Sequence, residues 1–128
     1  FHLASCDWED IALAVAAPVV ARRSDRKEVI LYAGAVHLSK DTLLIPDVGH
    51  VYGEVVKLTA RGWERFPQPV YINRLSQEHG IFYCPDEHID EFAPGSLAGI
   101  IPVHSCLTAD LLKDKYYNLK THRFFEQE

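Results

Sequence analysis

At 128 residues, 48% of them apolar, the chain has the size and composition of one packed domain, 1–128, that needs no covalent staples. Thirteen basic against eighteen acidic residues leave a net charge of -5 with no Lys/Arg stripe, which excludes nucleic acid as an expected partner. The longest apolar run, Ile11 to Ala21, is too short to span a bilayer and is broken by Pro18, while Cys6, Cys84 and Cys106 are odd in number and widely spaced, so the expectation is a cytoplasmic protein with reduced thiols and no membrane segment.

Taken in chain order, the apolar runs are short, rich in Val, Ile and Tyr, and alternate with a period of two, which predicts β structure. "IALAVAAPVVARR" and "KEVILYAGAVHLS" flank Ser24 to Arg26 and predict a hairpin, with Pro18 at an edge or bulge. "HVYGEVVKLT" predicts a strand with Gly53 at a bulge, after which "ARGWERF" turns the chain. "VYINRLSQEHGIFYCP" predicts a second hairpin whose reversal uses a positive φ at Gly80. "SLAGIIPVHSC" and "YYNLKTHRFF" supply the last strands, separated by a helical turn in "LTADLLKDK". The fold class expected is therefore all-β, a mainly antiparallel barrel with one short helical segment, since closure removes exposed edges.

Two constellations carry chemistry. If Val103 to Leu107 is extended, His104 and Cys106 project from one face and can share an ion, because residues i and i+2 of a strand point the same way. Zinc takes imidazole nitrogen at about 2.0–2.1 Å and thiolate sulfur at about 2.3 Å, so the pair fills half a tetrahedron and leaves the rest open, as a catalytic ion requires. Alone, His-x-Cys is a weak pattern that reads more readily as ordinary packing than as a metal site. Glu78 and His79, in "LSQEHG", read first as a solvated surface pair, with second-sphere support for a metal ligand as the other reading. Cys84 reads as packing, "DEHIDEF" as a solvated acidic run, and His37, His50, His88 and His122 stand alone in sequence. No phosphate loop, Gly-x-Ser-x-Gly elbow or His-Glu-x-x-His helix is present. With no methionine and Phe1 at its start, the sequence is expected to be part of a longer chain.

In this order "LYAGAVHLSKD", "LSQEHG" and "IIPVHSCLTADLL" resemble three motifs of the C-terminal β-domain of the D-threonine aldolase and D-serine dehydratase group, relatives of alanine racemase. The resemblance runs along much of the chain. Tyr32 stands where that group often carries aspartate. The resemblance implies a lyase that uses pyridoxal phosphate and acts on small-molecule β-hydroxy D-amino acids. It implies zinc or manganese at His104 and Cys106, with Glu78 and His79 behind them, and a homodimer. It also implies an N-terminal α/β barrel that supplies the lysine for the cofactor, since Lys27, Lys40, Lys57, Lys113, Lys115 and Lys120 lie in no matching context. No catalytic or cofactor-binding residue is assigned within this chain, which is expected to be inactive by itself. The alternatives are the corresponding domain of an amino-acid racemase, and a non-catalytic cap or dimerisation module.

Overall fold

A computed structural model of the chain describes residues 6–113 and 115–125. After a short 3-10 turn at Trp8–Asp10, the strands are β1 (Val15–Arg23), β2 (Glu28–Leu31), β3 (Leu43–Ile45), β4 (Gly49–Val51), β5 (Gly53–Thr59), β6 (Gly62–Leu75), β7 (Gly80–Tyr83), β8 (Leu97–Pro102), β9 (Tyr117–Asn118) and β10 (Arg123–Phe124). Three short helices are interspersed: α1 (Ala35–Leu38), α2 (Asp86–Ile89) and α3 (Ser105–Leu111).

Six strands close into a barrel in the order β1-β2-β7-β6-β5-β8, every ladder antiparallel. The alternation in β1 is the cause made visible: Val15, Ala17 and Val19 are buried and the residues between them exposed, so one face feeds the interior. That interior is filled by Val29, Leu31, Val55, Ile72, Phe82 and Ile100. Phe92 seals it from below, edge-on to Phe82 with ring centres 5.0 Å apart. Pro18 ends the β1–β8 ladder opposite Leu97 and stands beside the bulge between Val19 and Ala21, where a missing N–H costs nothing.

Several expectations are corrected. Residues 35–38 form α1 rather than the continuation of β2, because the N–H groups of Ala35 and Val36 bond the carbonyls of Ser76 and Gln77 (2.9 and 3.1 Å) instead of a strand partner. Gly53 opens β5 in register; its role is close approach, since a Cβ there would stand 2.9 Å from the Ile101 carbonyl oxygen. The irregularity lies later, between Val55 and Val56, where β6 loops out Phe66 to Pro69 and neither Pro67 nor Pro69 can donate to the ladder. The β6–β7 hairpin is present, but Gly80 is not at positive φ; a Cβ would meet the Ala33 carbonyl at 2.8 Å, so space rather than torsion demands glycine. The segment 116–125 is a two-stranded β9–β10 hairpin outside the barrel rather than one barrel strand.

The registers fix which ends meet. Leu31 pairs with Gly80, Leu75 with Gly80, and Pro102 with Gly53, so the end of β2, the β6–β7 turn and the end of β8 all reach the same rim. The three motifs therefore leave the barrel together.

Candidate metal centre

Pro102 ends β8, Val103 bends the chain, and His104 is the N-cap of α3 with φ -128° and ψ 94°. The expected extended run from Val103 to Leu107 is thus replaced by a strand-to-helix junction. Proline cannot extend a ladder by donating, and "SCLTADLL" is rich in Leu and Ala with apolar residues at helical spacing, so helix begins two residues earlier than the sequence pattern suggested. His104 and Cys106 are not two side chains of one strand face. His104 precedes the helix and Cys106 lies in its first turn; both are exposed to solvent.

His104 is oriented from a distant segment. Its Nδ1 lies 2.8 Å from Oδ2 of Asp41, in the loop after α1. An ionised carboxylate only accepts, so Nδ1 donates to it and Nε2 is the ring nitrogen left for another partner. Asp41 is aimed by a local device: α1 ends at Ser39, whose φ of 69° reverses the chain, and the Asp41 N–H donates to Ser39 Oγ at 3.2 Å. The sequence reading missed Asp41 as a partner. Its only signal was its place as the closing residue of "LYAGAVHLSKD", and a separation of 63 residues hides the contact.

Glu78 and His79 fall in a neighbouring cluster. The rings of His37 and His79 both stand edge-on to Tyr32, at 5.1 and 5.8 Å between centres. His37 accepts the Gly34 N–H at Nδ1 (3.1 Å), and burial, followed by the charge of Lys115, holds its pKa below the ordinary value while Glu78 opposes them. His37 is thus not isolated in space, although it is in sequence. Gly34 makes the cluster: a Cβ there would lie 2.4 Å from the Gln77 carbonyl oxygen, so only glycine lets α1 seat on the Ser76–His79 turn.

An imidazole held at Nδ1 by a carboxylate, two residues before an exposed thiol, offers the donor types a borderline divalent ion takes. These residues fit such an ion. Among the described residues no group of three or more His, Cys, Asp and Glu side chains is arranged to hold a metal, so further ligands would come from outside this set.

The sequence matches the family described as "Putative serine dehydratase domain" over residues 12–118. The chain belongs to that family. Among curated members of known activity, it is 35% identical over 104 residues to D-serine dehydratase of Schizosaccharomyces pombe, covering 78% of this chain and 22% of that protein. It is 30% identical to D-threo-3-hydroxyaspartate dehydratase of Delftia sp. strain HT23, over 84% of this chain and 29% of that one. The chain therefore spans roughly a quarter of the length of these serine dehydratase relatives. In structure it resembles a cysteine-to-alanine mutant of D-threo-3-hydroxyaspartate dehydratase in the metal-free form, with a TM-score of 0.75, 25% identity, and coverage of 98% of this chain and 34% of that chain. A histidine-to-alanine mutant of the same enzyme gives a TM-score of 0.66 at 28% identity over 83% and 28%. In that enzyme the two substituted residues stand two positions apart, histidine before cysteine.

Proposed function

We propose that this chain is the metal-bearing β-domain of a pyridoxal-phosphate-dependent dehydratase for β-hydroxy D-amino acids, with His104 and Cys106 as its protein ligands to zinc. Membership of the serine dehydratase family and the dehydratase names of both relatives support elimination over aldol cleavage. The observation that carries the ligand assignment is the His-x-Cys spacing: the histidine and cysteine replaced in the relative stand two positions apart, as His104 and Cys106 do here, and Asp41 engages Nδ1 of His104.

Each residue then has a task. His104 and Cys106 hold the ion, thiolate softness favouring zinc over manganese. Asp41 and the α1–α3 packing keep the imidazole aimed outward. The ion supplies Lewis acidity toward a hydroxyl that must depart, and pyridoxal phosphate supplies an electron sink for the adjacent carbon. The cofactor's lysine belongs to an N-terminal α/β barrel of the longer enzyme, of which residues 1–128 form the C-terminal β-domain, and the enzyme works as a homodimer. Glu78 and His79 line the same rim behind Tyr32.

Metal analysis of the purified protein tests the assignment against His104→Ala and Cys106→Ala. The wild type retains zinc near one per chain, and each variant loses most of it. Equal trace zinc in all three overturns the ligands. In the longer enzyme, D-serine incubated with wild type releases ammonia and a keto acid; release of an aldehyde instead would assign the aldolase reaction.

A further inference from the structure

The pairing of His104 with Asp41 has more consequence for orientation than for stability. Both side chains are about half exposed, 46% and 50%, and a polar contact at that exposure adds little to stability. The local backbone nevertheless goes to some length to deliver it. Ser39 takes a left-handed φ of 69°, its own N–H bonds Ala35 O at 3.0 Å, and its hydroxyl accepts the Asp41 N–H. On the other side, the Thr108 hydroxyl donates to Leu38 O and binds α3 to α1, so both ends of the 2.8 Å contact are anchored to the same pair of helices. A free imidazole exchanges its proton between two nitrogens and rotates about χ2; one carboxylate on Nδ1 removes both freedoms.

We propose that Asp41 is the positioning residue for His104: its carboxylate holds the ring as the Nδ1-protonated tautomer and leaves Nε2 as the nitrogen that meets the metal. This rests on the metal reading above. The carboxylate also raises the basicity of the ligating nitrogen, which is how an outer partner strengthens a metal bond it does not make. Asp41 is contributed by the "LYAGAVHLSKD" segment and His104 by the "IIPVHSC" segment, so the proposal gives the first segment a function at the second.

The test uses Asp41→Ala, which removes the acceptor, and Asp41→Asn, which keeps a neutral carbonyl acceptor. Two readouts are taken on each: the zinc affinity by competition with a chromophoric chelator, and the imidazole nitrogen shifts of His104 by ¹⁵N NMR without and with zinc. Asp41→Ala is expected to weaken zinc binding about 10–100-fold and to move the proton from Nδ1 toward Nε2 in the zinc-free protein. Asp41→Asn is expected to preserve the tautomer and recover part of the affinity. Wild-type affinity and tautomer in Asp41→Ala, or zinc found on Nδ1, would overturn the proposal. If the wild type binds no zinc, the metal reading fails, while the nitrogen shifts still decide whether Asp41 sets the tautomer. Should the alanine variant unfold, as circular dichroism would show, the same comparison is decided by Asp41→Asn against Asp41→Glu, the first keeping the tautomer and the second keeping the charge.

Discussion

Thr108, fully buried on α3, donates its hydroxyl to the carbonyl oxygen of Leu38 at the end of α1, 3.4 Å away and 70 residues distant in sequence. This contact joins the segment that carries His104 to the segment that carries Asp41. Replacing Thr108 by the near-isosteric valine removes the hydroxyl and keeps the volume. The bond is long, so the expected loss is about 1 kcal/mol, read as a lower urea midpoint at unchanged slope.

Gly34→Ala should cost more. Its Cβ would fall 2.4 Å from Gln77 O and the Glu78 nitrogen, both backbone atoms that cannot swing aside. The expected destabilisation is about 1–3 kcal/mol or above, with α1 lifted from the Ser76–His79 turn. Disturbed amide resonances at Ala35 and Val36, which bond that turn, would report the displacement; an undisturbed spectrum would refute the packing described.

The thiols should separate by reactivity. Cys84 is fully buried, and its pKa is pushed up to about 11, first by burial and then by Glu91 and Asp86, whereas Cys106 is exposed at the start of α3. Reaction requires an accessible thiolate. Once stripped of zinc, the folded protein therefore labels at Cys106 quickly with iodoacetamide, and at Cys84 only after unfolding, as peptide mass mapping would show.

Acid should weaken the rim through His37. Burial holds its folded-state pKa below the ordinary value of 6.5, so the folded chain binds fewer protons there than the unfolded chain. Stability from this group is complete above the unfolded value and is lost as pH falls from there toward the lowered folded value. His37→Gln removes that portion of the pH dependence. Denaturation midpoints compared between about pH 8 and about pH 5 should fall less in the variant than in wild type.

Arg65 should matter more than a surface cation. It clasps buried Glu54 through Nε at 2.7 Å and Nη2 at 3.2 Å, and its guanidinium lies 3.8 Å from the centre of the Trp8 ring. Arg65→Ala leaves the carboxylate buried without its counter-charge. Since Arg65 is itself about one-third exposed, the expected cost lies at the low end of the roughly 3–5 kcal/mol typical of a broken buried pair. Arg65→Ala,Glu54→Leu should recover much of it, which a double-mutant cycle in denaturant measures.

The barrel was legible because its cause is local. Alternation in "VAAPVV" and the short apolar runs around Val55, Ile72, Phe82 and Ile100 dictate which face is buried, and a period of two leaves little freedom. The helices were less legible. Nothing in "AGAVHL" distinguishes a strand end from a single helical turn; the carbonyls of Ser76 and Gln77 decided it, from another part of the chain. The junction at Pro102 is hidden for a similar reason, since "PVHSC" continues the strand composition while the ladder partner stops at Gly53.

By itself the sequence determined that a small antiparallel barrel would form and that a histidine and a cysteine two residues apart were worth attention, because burial periodicity and donor chemistry are written in neighbouring residues. Only the tertiary structure decided that His104 answers to Asp41, that Glu78 and His79 gather with Tyr32 and His37, and that all of them share one rim. Those relations depend on strand register and on how α1 is seated against the turn and α3, and long-range pairing has no local signature for a sequence to carry.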